Sequence, residues 1–164
     1  MICLPLVFAA AIFAQNESVY TDLSEKQCKT LELSENEGAL YKGECRGVGG
    51  YKLHLLEGDL RQTVNVIAAG GNEHELRLWE IFGGFSYLGP RAEWRIKGKT
   101  PVSLIVRFNV SQDPEDSTKT TSYLIVSKIT KTKACVTDVI RPSRTQNANA
   151  RKLADRSAAK QCKL

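Results

Sequence analysis

The cysteines have the most definite chemistry in this sequence. Beyond the first fourteen residues the chain holds four of them, Cys28, Cys45, Cys135 and Cys162. An even number of cysteines in an exported chain predicts disulfides, and four cysteines allow three pairings. We favour Cys28 with Cys45 and Cys135 with Cys162, because each pair brackets one local unit. Zinc is disfavoured, since no C-x-x-C pair occurs and both histidines lie far from any cysteine.

Carboxylates are the other residues that could carry chemistry. Glu57, Asp59 and Glu93 could serve acid–base catalysis on wall polymers, but no spacing singles out a pair. The sequence has no G-x-S-x-G nucleophile motif and no phosphate-binding glycine loop. His54 and His74 are its only histidines, and strand alternation assigns neither a partner. We therefore predict no catalytic residue, no metal site and no cofactor.

The segment GGFSYLGPRAEWR offers candidate contact residues. Tyr87 and Arg91 flank a predicted Gly-Pro turn, and both residue types are enriched in binding hot spots. Alternate residues of a strand point to opposite faces, so AEWRI is predicted to place Trp94 in the core and Glu93 and Arg95 in water. Core packing plus a turn explains most of the segment, and Tyr87 with Arg91 is predicted to form a partner-binding rim.

Positive charge is concentrated in residues 141–164. This segment holds seven Lys or Arg and one Asp, whereas residues 1–140 carry a net charge of −1. Lys152, Arg156 and Lys160 share one stripe of a predicted helix, which is either a solvated face or a weak contact for an anionic surface. Nucleic acid is not a predicted partner, because neither an RNA-binding aromatic signature nor a helix-turn-helix pattern is present.

The elements that must position these residues are mainly strands. In PVSLIVRFNV the apolar residues alternate with polar ones, which predicts a strand with a core side and a wetter side. Many short strands with local turns predict a mainly β protein, an antiparallel sheet curled as a barrel or a sandwich, with a C-terminal α-helix packed on it. HELRLWEIF is compatible with a strand or a short helix. The predicted strands are CKTLELS, ALYKGEC, GYKLHLLEG, RQTVNVIAA, PVSLIVRFNV, TSYLIVSKIT and ACVTDVI.

The C-terminal segment has the composition of a helix. From Thr145 it is rich in alanine and poor in β-branched residues. Small residues recur every fourth position, and this stripe is predicted to lie on the sheet and to bring the last cysteine to Cys135. Its members are Ala150, Ala154, Ala158 and Cys162.

The first fourteen residues, MICLPLVFAAAIFA, are almost wholly apolar and carry no charge. They are too short for a transmembrane helix, which needs about 20 residues. They predict a signal peptide over residues 1–14, cleaved near Ala14, although no Lys or Arg precedes the apolar block. A buried N-terminal element is the alternative. We expect a β-rich domain over 15–140, a basic C-terminal helical segment of the same domain over 141–164, no transmembrane span, and a periplasmic or secreted location.

Several phrases of the sequence resemble a known family. SVYTDLSEKQCKTLE, GECRGVGGYKLHLLEGDLRQTVNV, LGPRAEWR and ACVTDVI with its Ala-rich tail are similar to a family of small exported alphaproteobacterial proteins of uncharacterised function. The resemblance covers nearly the whole mature chain. It implies a periplasmic or secreted location, and it supplies no activity, cofactor or catalytic residue.

Together these features favour an exported, non-enzymatic envelope protein that binds a protein or a wall component, with hydrolase inhibition as one form of that function. The alternative is a carboxylate-dependent enzyme that acts on cell-wall polymers. A third hypothesis is a structural protein held to an anionic surface by Lys152, Arg156 and Lys160.

Overall fold

The computed structural model describes residues 16–34, 40–113, 115–116 and 118–163, which form ten strands and one α-helix. The predicted signal peptide, residues 1–14, lies outside the described residues. All seven strands expected from alternation are present. The strands are β1 (Glu17–Asp22), β2 (Lys29–Ser34), β3 (Leu40–Arg46), β4 (Lys52–Gly58), β5 (Arg61–Ile67), β6 (Glu73–Glu75), β7 (Ser86–Lys97), β8 (Thr100–Ser111), β9 (Thr120–Ile129) and β10 (Ala134–Ile140), and the helix is α1 (Gln146–Ala154).

The strands form one large sheet in the order β10-β9-β8-β7-β5-β4-β3-β2, with β1 paired to β7 and β6 paired to β5. Every pairing is antiparallel except that of β5 with β7, which meet in parallel at Arg61 and Ser86. The sheet is therefore mixed, although mostly antiparallel as expected. It folds over on itself without closing into a barrel, so the architecture is sandwich-like.

The main core lies between the folded halves of the sheet. Trp94 is fully buried there, as strand alternation predicts, and its indole N–H donates to the Thr21 hydroxyl at 2.9 Å. From β8, Leu104, Val106 and Phe108 pack into the same core. Apolar residues at every second position therefore identified the core-facing side of the long strands correctly.

β7 contains an irregularity that the sequence analysis interpreted as a turn. Gly89 and Pro90 lie inside this continuous strand, where the register against β8 shifts between Leu88 and Ala92. The predicted turn is thus wrong, and the segment is a bulge. Glycine is needed here because a Cβ on Gly89 would come within 2.8 Å of the Arg107 Cβ. The bulge lets the stem of Arg107 lie across β7.

α1 covers the face of the sheet that was expected to be wetter. Ala150 and Ala154 are buried in a second apolar cluster with Ile105, Leu124 and Val126. The helix is shorter than predicted, since a 3-10 turn follows at Ser157–Ala159 and leaves Ala158 exposed. HELRLWEIF likewise divides into β6 and a 3-10 turn at Leu78–Glu80.

Candidate functional site

The two predicted disulfide pairings are confirmed. Cys28 and Cys45 lie at disulfide distance with their Cα atoms 4.2 Å apart, and Cys135 and Cys162 do so at 5.6 Å. The second link places the end of the chain beside β10, where the Lys163 amide donates to the Val136 carbonyl at 2.8 Å. The segment that follows α1 is thereby tied to the sheet.

The prediction that Glu93 and Arg95 face water is wrong, because side chains from β1, from α1 and from the residue that follows α1 cover this face of β7. Arg95 is only 7% exposed, and its guanidinium donates to Asp155 at 2.8 and 2.9 Å. It also donates to the Ser18 hydroxyl and to the Asn16 carbonyl. Arg95 thus joins β7 to the start of β1 and to the end of α1.

Glu93 forms the second bridge from β7 to α1. Its carboxylate accepts from Arg151 Nε at 2.7 Å and Nη2 at 3.2 Å, and from the Ser18 hydroxyl at 2.5 Å. Burial by itself would raise the pKa of Glu93, but the hydrogen bonds from Arg151 and Ser18 outweigh it and hold the pKa below its ordinary value. The same pair raises the pKa of Arg151. Glu93 therefore remains ionised at neutral pH.

A cavity of about 310 Å³ opens beside this bridge, between α1 and the strands under it. We call it the arginine cleft. Its floor is apolar and its walls are dominated by guanidinium groups. Its lining residues are Tyr20 from β1; Pro90, Arg91 and Glu93 from β7; Ile105 and Arg107 from β8; Leu124 from β9; and Asn147, Ala150 and Arg151 from α1.

Two of the three arginines in the cleft have no carboxylate partner among the described residues. Arg107 donates to neutral groups only, to the Ser122 hydroxyl at 2.9 Å and to the side-chain oxygens of Gln146 and Asn147 at 3.3 Å. The Arg91 guanidinium lies 5.8 Å from the centre of the Tyr20 ring, in a cation–π arrangement. Arg151 alone is neutralised, by Glu93. Arg107 thus has no carboxylate near it among the described residues, whereas Arg91 makes no ion pair but is partly offset by Asp22, its neighbour on β1.

The structure does not bring Tyr87 and Arg91 to one rim. Arg91 is exposed and lines the arginine cleft, whereas Tyr87, 49% exposed, lines a different cavity with Leu60 and Phe85. The bulge between them directs the two side chains to different parts of the surface.

The expected stripe of Lys152, Arg156 and Lys160 is incomplete. Lys152 lies on α1, whereas Arg156 and Lys160 lie beyond its end; Lys152 and Arg156 are exposed. The Lys160 ammonium binds the Asp138 carboxylate on β10 at 2.6 and 2.7 Å. Only two cations of the stripe therefore remain available to an anionic surface.

The carboxylates of the enzymatic hypothesis lie apart. Glu57 lines other cavities, one of which adjoins the arginine cleft at Pro90, and accepts from Gln62 at 2.6 Å, while Glu93 lines the arginine cleft itself. Asp59 has a 75% exposed side chain at a hairpin tip. No two of these three carboxylates line the same one of these cavities. Glycoside cleavage needs two carboxylates that face one substrate, so the described residues do not supply that pair from these three.

His54 lies near two carboxylates of other strands, which the residue alternation along β4 does not predict. Its Nδ1 lies 3.1 Å from Glu73 on β6 and its Nε2 lies 3.6 Å from Glu44 on β3. Across the described part of the chain, no group of three or more His, Cys, Asp or Glu side chains is arranged to hold a metal ion. Nor do the described residues include a helix with the length and hydropathy of a membrane span.

Of the cleft residues, Arg91 is a contact predicted from the sequence and Glu93 a predicted candidate carboxylate, whereas Tyr20, Arg107 and Arg151 were not predicted. One signal was present: Arg107 interrupts the apolar run LIVRFNV, and a lone cation in such a run needs a partner or an opening. Comparison with protein-family models, with curated proteins and with solved structures gave no match to this chain.

Proposed function

We propose that this chain is an exported, non-enzymatic binding module of the cell envelope, and that the arginine cleft holds a carboxylate- or phosphate-bearing group of a wall component. The guanidiniums of Arg91 and Arg107, neither of which makes an ion pair with a described carboxylate, support this most directly. Planar guanidiniums bind carboxylates and phosphates through paired N–H donors. The apolar floor would receive the uncharged part of the same ligand.

Export is supported by the two disulfides, which persist in oxidising compartments. A binding role is supported by the state of Glu93, the one carboxylate among the residues lining the cleft. Its lowered pKa and its bidentate pairing with Arg151 make it a poor general acid and a poor base. The cleft therefore offers charge recognition, and its one carboxylate is poorly suited to proton transfer.

Calorimetric titration of the oxidised full-length protein with soluble peptidoglycan fragments tests the proposal. We expect binding that weakens when the fragment carboxylates are amidated and when salt rises, with the fragments chemically unaltered afterwards. Arg91→Gln and Arg107→Gln should each weaken binding by about tenfold, which corresponds to the loss of one charge-assisted contact. Lys152→Gln removes an equal charge from the exposed side of α1 and serves as the matched control.

Affinity that is indifferent to amidation, or that falls equally in Lys152→Gln, would refute the assignment of the cleft. Cleavage of the fragments that is lost in Glu57→Gln or Glu93→Gln would instead establish the enzymatic alternative.

A further inference from the structure

The turn between β4 and β5 holds an unusual residue. Gly58 pairs with Arg61, which leaves Asp59 and Leu60 as a two-residue hairpin loop. Both loop residues have positive φ, 50° for Asp59 and 56° for Leu60. Such loops favour glycine or asparagine at these positions, because a Cβ in the left-handed region is strained. Leucine at the second position is therefore unfavourable to the local backbone.

Burial does not offset that strain. Leu60 is 63% exposed, so its side chain contributes little to the core. It lines a cavity of about 360 Å³ with two other exposed apolar residues, Phe85 at 36% and Tyr87 at 49%. Strained residues that the fold does not need occur preferentially at functional sites. We call Leu60, Phe85, Tyr87 and the adjacent Glu57 the hairpin-tip surface.

Glu57 gives this surface a charge. Its carboxylate accepts from Gln62 and has no cationic partner among the described residues, since Arg61, the cation of the same hairpin, pairs with Asp59 at 3.4 Å. Glu57 and Gln62 line the cavity of Leu60 and also a second cavity of about 580 Å³, whose walls include Leu55 and Leu88. The second cavity is also lined by Glu25 and Lys26, whose charges are opposite, so Glu57 leaves one net negative charge between two largely apolar hollows.

We propose that the hairpin-tip surface binds a segment of a partner protein in which a Lys or Arg side chain is flanked on both sides by apolar side chains. The basic side chain pairs with Glu57, and the apolar side chains occupy the two hollows. The second hollow adjoins the arginine cleft at Pro90, but the two cavities share no charged side chain, and the ligand proposed here has the opposite charge. One module could thus hold a wall component and a protein together.

Selection of a random heptapeptide phage library on the immobilised oxidised protein tests this inference. We expect enrichment of sequences with one Lys or Arg between apolar residues, confirmed by titration of the corresponding synthetic peptide. Leu60→Gly and Glu57→Gln should each weaken that peptide at least about tenfold. The Glu57→Gln complex should also lose most of its dependence on salt.

Leu60→Gly removes the leucine side chain without straining the turn, because glycine adopts the left-handed conformation readily. Weaker peptide binding by this variant would therefore report the loss of the side chain and not unfolding. Leu33→Ser removes a leucine of similar exposure, 65%, from β2 and is the matched control. Enrichment of acidic or purely apolar peptides, or peptides that bind Leu60→Gly and the wild type equally, would overturn the proposal. So would a dimer in sedimentation that dissociates on Leu60→Gly, since the occupant would then be a second copy of the chain.

Discussion

Replacement of Glu93 by glutamine should lower stability and raise affinity for anions in one step. The Glu93 side chain is 13% exposed and accepts two hydrogen bonds from Arg151 and one from Ser18. Loss of one member of a buried ion pair costs about 3–5 kcal/mol. Arg151 is 43% exposed, however, so water can solvate the released cation, and glutamine keeps one acceptor. We expect a loss of about 1.5 kcal/mol, and a fall in melting temperature of about 3–6 °C.

The released Arg151 guanidinium should then join Arg91 and Arg107 as a third guanidinium of the arginine cleft that makes no ion pair. One further charge-assisted hydrogen bond contributes about 1 kcal/mol or more, which corresponds to at least about fivefold tighter binding of a carboxylate-bearing wall fragment. Differential scanning calorimetry and titration calorimetry on the same samples measure both effects. The double variant Glu93→Gln/Arg151→Gln should be no less stable than Glu93→Gln and should lose the gain in affinity. A single variant that binds the fragment more weakly than the wild type would refute the role assigned to Arg151.

Three further outcomes follow from the same structure. Burial alone would raise the pKa of Glu93 and of Asp155, but hydrogen bonds outweigh burial and lower both pKa values. The two ionised carboxylates therefore stabilise the fold fully above about pH 4, the ordinary pKa range of these groups, and this stabilisation is lost as pH falls through the lowered pKa values. The free energy of unfolding of Asp155→Asn should fall less steeply with decreasing pH than that of the wild type. Equal slopes for the two proteins would contradict this linkage. Leu60→Gly should raise the free energy of unfolding in urea by about 1 kcal/mol, because left-handed strain is removed; a decrease would show that the turn is unstrained. The double variant Cys135→Ser/Cys162→Ser should cost about 3 kcal/mol by chemical denaturation, and an unchanged midpoint would mean that the ion pairs alone hold the C-terminal segment.

The sequence predicted the strands and the disulfide pairs because both depend on local information. Alternation in β8 identified Leu104, Val106 and Phe108 as core residues, and each cysteine pair encloses a short segment. The surroundings of Arg95 could not be predicted in this way. Alternation separates the two faces of a strand, but it does not say whether a distant helix covers the second face.

The bulge in β7 shows a related limit. Gly-Pro usually marks a turn, and only the pairing of both flanks with β8 shows that the strand continues. Because the bulge shifts the register, it places Arg91 in the arginine cleft and Tyr87 at the hairpin-tip surface. The two proposed binding surfaces therefore owe their different positions to the bulge at residues 89–91, where the Gly-Pro sequence by itself indicates a turn.

α1 explains why stability and binding should be coupled in this protein. Its buried apolar residues are Ala150 and Ala154, which remove little apolar area from water, so apolar packing alone holds the helix weakly. The buried Gln146 side chain donates to two carbonyls of the sheet, and the polar pairs Arg95–Asp155 and Glu93–Arg151 add to this attachment. Because Arg151 is both an anchor of the helix and a wall of the cleft, the ion pair that fixes the helix also removes one cation from ligand recognition. A substitution that frees this cation should strengthen binding only by weakening the attachment of the helix.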